Sequence, residues 1–338
     1  MTHEATAQES SEPDPPRDSS KILDTPLARD VATSLRGERP SIPCRYLYDD
    51  RGSRLFDEIT LQPEYYLTRT EEAILEQHAD AIVARAAPHE LVELGSGTGK
   101  KVPTLLQAVK RAGMPAKLVL FEINAAMINA SVARVKREHP EVQVTGVVGT
   151  FPDELQRLGP GGDRLVLFLG STLGNQHPAQ VPGFLTRVAQ QMHPGDDLLL
   201  GLDLVKDPAR LEAAYNDAAG VTASFSLNLL SVLNRELGAD FDASAFEHVA
   251  VWEAESSWIR IALRARRDQH VRVPGAGVEL RLRAGQEIQT EVSCKYTRPM
   301  LEQRLAGTGL ALDQWHTDAH EDFAVALLRR EADADPTR

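Results

Sequence analysis

The run Leu91-Val92-Glu93-Leu94-Gly95-Ser96-Gly97-Thr98-Gly99-Lys100-Lys101 constrains this chain more than any other stretch. Its short, mostly apolar start suits a buried parallel strand. Gly95, Gly97 and Gly99 then fall at every second position, where a positive φ carries no steric penalty and a ligand can lie against the backbone. The following VPTLLQAVKRAG has apolar residues at helical spacing and ends on Gly113, a C-cap signal. Strand, glycine turn and helix form the opening unit of a nucleotide-type α/β fold, with its ligand at the carboxyl end of the strand.

Three glycine patterns compete for this turn. A phosphate-binding P-loop needs GxxxxGK followed by Ser or Thr, but Leu94 stands where the first glycine belongs and Lys101 where the hydroxyl belongs. A dinucleotide fingerprint needs GxGxxG, and counting from Gly95 places Lys100 at the last glycine. The pattern that remains, acid-x-GxGxG, is that of S-adenosylmethionine (SAM) methyltransferases; the other reading is a tight turn with no ligand. KLVLFE, one helix further on, puts Glu122 at the carboxyl end of the next strand, where a carboxylate can accept both hydroxyls of a ribose. A solvated helix cap is the alternative for Glu122.

The chain of 338 residues accommodates one large domain or two smaller ones. A hydrophobic content of 42% and a charged content of 25% are those of a globular protein. The net charge of −12 argues against a nucleic-acid partner, which calls for a basic surface. Cys44 and Cys294 are too few for a disulfide framework or a cysteine metal site. No run reaches the roughly 20 apolar residues of a membrane span, and residues 1–20 lack the apolar core of a signal peptide. The expectation is a cytoplasmic protein with a small-molecule substrate.

Residues 1–20 are polar and proline-bearing and read as disordered, as does the tail 331–338. TRTEEAILEQHADAIVARAA is an amphipathic helix with Thr68 or Thr70 near its N-cap; Glu71 and Glu72 favour a helix N-terminus. Before it stand Tyr46, Tyr48, Tyr65 and Tyr66, which line a site or fill a core. VQVTGVVGTF, RLVLFLG and DDLLLGLDLV continue the strand series, and the open STLGN loop follows the fourth strand. Past residue 207 the rhythm changes to helices, with Asp207 as N-cap and Pro208 at N1, then to alternating antiparallel strands. LALDQWHTD and FAVALLRR close the series as a final pair. The predicted fold is α/β: a Rossmann-like, seven-stranded SAM-dependent methyltransferase sheet formed by 21–206 plus 293–330, with an inserted α+β substrate-binding domain at 207–292. His316-x-x-x-His320 has metal-ligand spacing but lacks a supporting cluster, and no metal site is expected. Asp49-Asp50 and Asp196-Asp197 read as turn acids rather than catalytic pairs.

PEYYLTRTE, ELGSGTGKK, FLGSTLGN and EVSCKYT, in that order, resemble the histidine-specific Nα-methyltransferases of ergothioneine biosynthesis, from about residue 22 to about 330. The resemblance implies successive transfer of methyl groups from SAM to the α-amine of L-histidine, giving the trimethylated betaine hercynine. It assigns Gly95, Lys101, Glu122, Thr150 and Phe151 to SAM, with Tyr48 and Phe56 closing over it. Thr150 stands where the family has Asp, and Ile261 where it has Met. The resemblance assigns Tyr65, Gly170, Asn175 and Tyr215 to the amino acid and Glu291 and Ser293 to its imidazole. Tyr48 is the candidate catalytic residue, as a carrier of the amine's proton, although a phenol of pKa near 10 is a weak base. Residues two apart on a strand face one side, so Glu291 and Ser293 share a pocket or, on the other reading, an exposed face. A related enzyme acting on another amino acid such as tryptophan, or a non-catalytic SAM-binding subunit, are the competing readings. A monomer is expected.

Overall fold

The computed structural model describes residues 22–95, 102–114, 117–122, 125–149, 151, 154–159 and 162–331. Helix α1 (Pro26–Ser34) is capped by Thr25, α2 (Asp50–Ile59) by Asp49, and α3 (Leu67–Ala86) follows. The parallel series then runs β1 (Glu90–Leu94), α4 (Val102–Arg111), β2 (Lys117–Glu122), α5 (Ala125–Glu138), β3 (Gln143–Val148), β4 (Arg164–Phe168), α6 (Val181–Gln191) and β5 (Asp197–Asp203). Next come α7 (Pro208–Ala214), α8 (Val221–Leu237), β6 (Phe246–Glu253), β7 (Trp258–Ala265), β8 (Gln269–Val273), β9 (Val278–Leu282) and β10 (Glu287–Cys294). The described chain ends with α9 (Arg298–Leu305), β11 (Leu310–Thr317) and β12 (Phe323–Arg330).

The main sheet has seven strands in the order β11-β12-β5-β4-β1-β2-β3, parallel except for β12 and β11. Central strands are apolar on both faces because helices cover both. On β1, Leu91 packs with α3 and α4, whereas Val92 and Leu94 face the layer of α6 and α9. β12 lies between β5 and β11, and accordingly Phe323 through Leu328 are all buried.

A second sheet, β10-β7-β6, is antiparallel, and β8 and β9 form a separate hairpin. SWIRIALRARRDQHVRV thus yields two strands in two different sheets. The segment before the main sheet packs on this lobe. Ile42 donates its N–H to the Gln289 carbonyl (2.9 Å), and Asn228 on α8 donates to the Asp49 carboxylate (2.8 Å). Asp49 is therefore a cap and cross-link, and Asp196 is a turn acid that accepts from the His193 and Arg164 amides (2.7 and 2.8 Å).

The expected cap of α3 is corrected. The helix begins at Leu67, its N-cap is Tyr66 without a side-chain bond, and the Thr70 hydroxyl donates back to the Tyr66 carbonyl (2.9 Å). Among the described residues, no helix is long and apolar enough to cross a membrane.

Glu71 also departs from expectation. It is fully buried in α3 and accepts the Gly170 N–H at 2.7 Å. Gly201 on β5 makes room for it: a Cβ there would stand 1.8 Å from Glu71 Oε1 and 3.1 Å from the Gly170 nitrogen. Gly201→Ala is expected to expel the carboxylate and leave a buried N–H unpaired, costing about 1–3 kcal/mol. Chemical denaturation measures this, and a variant as stable as the parent refutes it.

Candidate active site

A cavity of about 390 Å³ opens where the carboxyl ends of β1, β2 and β4 meet α2, α8 and β10, a volume typical of small-molecule sites. Its wall includes Tyr48, Phe56, Tyr65, Gly95, Glu122, Phe151, Gly170, Asn175, Tyr215, Glu291 and Ser293, so residues spread over most of the sequence converge. Lys101 and Thr150 lie outside the described residues.

On the sheet side, Gly95 leaves β1 with φ +65° and donates its N–H to the Phe121 carbonyl (2.8 Å). A Cβ here would stand 3.6 Å from the Phe151 ring, so a side chain would fill the space between the turn and that ring. Phe151 is held edge-on against Phe168 with centroids 5.2 Å apart. Glu122 closes β2 on the same wall, and Glu93, buried near the end of β1, also lines the cavity. Glycine turn, strand-end carboxylate and aromatic ring together fit a nucleoside-bearing group.

Aromatic rings form the next wall. Tyr48 meets Phe56 and Phe225 edge-on at 5.6 and 5.4 Å, and Tyr65 meets Phe56 and Tyr215 at 6.2 Å each. Burial pushes the Tyr48, Tyr65 and Tyr215 phenols well above their ordinary value. Tyr48 thus places its hydroxyl at the cavity wall among aromatic rings.

The STLGN loop is pinned to β5 and β10. Ser171 holds a left-handed φ of +57°, an uncommon state for a non-glycine residue, and its Oγ accepts the Asp203 N–H at 3.1 Å. The Cys294 thiol donates to the Gln176 carbonyl (3.4 Å). Asn175 projects from this loop onto the cavity.

The far wall is β10. Glu291, half-buried and facing the cavity, makes no hydrogen bond among the described residues. Burial raises its carboxyl to about 7, with Lys295 opposing the rise. Ser293 shares its face, but its Oγ is already engaged, 2.7 Å from Tyr215 Oη and 2.7 Å from Lys295 Nζ. Lys295 is buried, also donates to Tyr215 Oη (2.8 Å), and is ion-paired with Asp203 Oδ2 (2.7 Å). Asp203 Oδ1 in turn accepts from Lys206 (2.5 Å) and Tyr66 (2.8 Å). Burial raises the Asp203 carboxyl, but the two ammonium groups outweigh it and hold the carboxyl below its ordinary range.

Sequence reasoning missed Lys295, Asp203 and Glu71. One signal was present: Glu291, Ser293 and Lys295 are spaced by two and so face one side of an extended chain. His316 stacks on His78 with centroids 4.3 Å apart, and among the described residues no group of three or more His, Cys, Asp or Glu is placed to hold a metal ion.

The sequence pattern of the family described as histidine-specific methyltransferase, SAM-dependent, matches residues 27–330. The chain is 46% identical to the histidine N-alpha-methyltransferase of Mycolicibacterium smegmatis over 304 residues, covering 90% of this chain and 95% of that protein. It is 44% identical to the protein of the same description from Mycobacterium tuberculosis, with the same coverage. Among solved structures, an S-adenosylmethionine-dependent methyltransferase from Clostridium acetobutylicum aligns with a TM-score of 0.46 at 9% identity, covering 82% of this chain and 99% of that one.

Proposed function

Because the chain belongs to the histidine-specific, SAM-dependent methyltransferase family, we infer that it methylates the α-amine of L-histidine through to the trimethylated betaine, hercynine, at the entry to ergothioneine biosynthesis. The observation that supports this reading most directly is the position of the Glu291 carboxylate and the Ser293–Tyr215 hydroxyl pair, across one cavity from Gly95, Glu122 and Phe151.

Gly95, Glu122 and Phe151 would hold SAM, which supplies an electrophilic methyl group on a sulfonium whose departure is neutral. Positioning is the protein's main contribution to such a transfer, and it is worth several kcal/mol. Glu291 accepts the imidazole N–H, and the hydroxyl pair serves the second ring nitrogen. Tyr65 and Asn175 frame the amino-acid end, beside the loop that Glu71 fixes through Gly170. The rings of Tyr48, Phe56 and Tyr65 suit an amine that gains methyl groups, because aromatic faces stabilise a quaternary ammonium.

Incubation with SAM and each proteinogenic amino acid tests the reading by mass spectrometry. Histidine alone should gain mass in multiples of one methyl group, up to the trimethyl product. Methylation of a different amino acid in its place, or no turnover, overturns it.

A further inference from the structure

We propose that Lys295, held by Asp203, is a positioning residue that sets the polarity of the imidazole clamp, leaving one hydroxyl hydrogen from the Ser293–Tyr215 pair as a donor facing the cavity. The inference rests on the reading of Glu291 and Ser293 as the groups that recognise the imidazole.

Hydrogen-bond counting carries it. An ammonium has hydrogens to donate and no acceptor, and Lys295 Nζ donates to Ser293 Oγ at 2.7 Å and to Tyr215 Oη at 2.8 Å, while Asp203 Oδ2, 2.7 Å away, is its ion-pair partner. Each hydroxyl oxygen therefore receives a hydrogen from below. The two oxygens are 2.7 Å apart, so one hydroxyl donates to the other. Two hydroxyl hydrogens less that one leave a single hydrogen, whichever way the pair is oriented. Both residues line the cavity, and that hydrogen faces it.

The clamp then offers one acceptor, Glu291, and one donor. A neutral imidazole carries the complement, one N–H and one bare nitrogen. An indole has an N–H only and a phenyl ring has neither, so each leaves the donor unpaired. Lys295 touches no part of the ring in this arrangement and acts through Ser293 and Tyr215. Asp203 keeps it there, because a fully buried lysine without a counter-charge would give up its proton, and with it the fixed direction of these bonds.

The test is steady-state methylation of histidine by the parent, Lys295→Met, Ser293→Ala and the double variant, with thermal melts to establish folding. Lys295→Met should raise the KM for histidine about tenfold, with kcat within about threefold and the KM for SAM unchanged. Without the lysine the hydroxyl pair can present acceptors as readily as donors. Because both changes disable one device, the double variant should be no worse than the weaker single one, a non-additivity that independent sites do not show. Should Lys295→Met fail to fold, Lys295→Gln, whose amide offers an acceptor as well as donors and so does not fix the direction of these bonds, is expected to show the same selective rise and the same coupling to Ser293→Ala. An unchanged histidine KM, an equal rise in both KM values, or effects that multiply would each overturn the proposal while leaving the histidine reading intact. A parent protein that does not methylate histidine overturns that reading and this inference with it.

Discussion

Replacing Glu291 by alanine is expected to lower kcat/KM for L-histidine by roughly 10- to 150-fold, the range set by losing a hydrogen bond to a charged group worth about 1.5–3 kcal/mol. The residue stands on β10 directly opposite Ile261 of β7, inside an aromatic wall. The variant removes the acceptor for the imidazole N–H and enlarges the apolar space beside Ile261, so methylation of aromatic amino acids should become measurable. Steady-state assays with histidine, tryptophan and phenylalanine decide the matter, and an unchanged kcat/KM for histidine refutes the assignment.

A stability effect of opposite sign accompanies the catalytic one. Burial raises the Glu291 carboxyl from 4.5 to about 7. Between those values the folded protein holds a proton that the unfolded chain has released. The corresponding stability is fully present below pH 4.5 and is lost as the pH rises through about 7. Glu291→Gln mimics the protonated form at every pH, so it should exceed the parent in stability at pH 8 by about 1–3 kcal/mol and match it near pH 4.5. The lower part of that range allows for the carboxylate's partial exposure to the cavity. Parallel denaturation profiles at pH 5 and pH 8 would contradict it.

What the sequence disclosed and what it withheld follow from the range of the interactions involved. The glycine turn was legible because backbone conformation is local: Gly95 takes φ +65°, as its position between strand and helix requires. The edge pair β11 and β12 was legible because a strand flanked on both sides reads as an unbroken apolar run. Glu291 and Ser293 were legible as neighbours on a strand face, but their meeting with Tyr215 depends on a helix–strand contact that no spacing encodes. Glu71 was misread because an acid early in a helix ordinarily serves the helix dipole. Its place three and four residues before Ile74 and Leu75, both buried, put it on the inward face. Lys295 was overlooked because lysine is almost never fully buried unless paired, and its partner Asp203 comes from the end of a strand in the other sheet.

That pair supports the second large effect. Asp203→Ala is expected to destabilise the protein by about 3–5 kcal/mol, the usual result of leaving a buried charge without its partner. One carboxylate serves Lys295 at 2.7 Å, Lys206 at 2.5 Å and the Tyr66 hydroxyl at 2.8 Å, and its backbone N–H is tied to Ser171. Its folded-state pKa lies below the ordinary value, so this stability is present above about pH 4 and is lost as the pH falls through the depressed value. The loss in the variant should therefore be full at pH 7 and shrink in acid. If stranded charge is the cause, Asp203→Ala combined with Lys295→Met should be more stable than Asp203→Ala alone, since the second change removes the ammonium left without a counter-ion. Urea denaturation of the three proteins at pH 7 measures this. A double variant no more stable than Asp203→Ala would trace the loss to packing at the end of β5, and a single variant within 1 kcal/mol of the parent would mean that the two lysines reach water without the carboxylate.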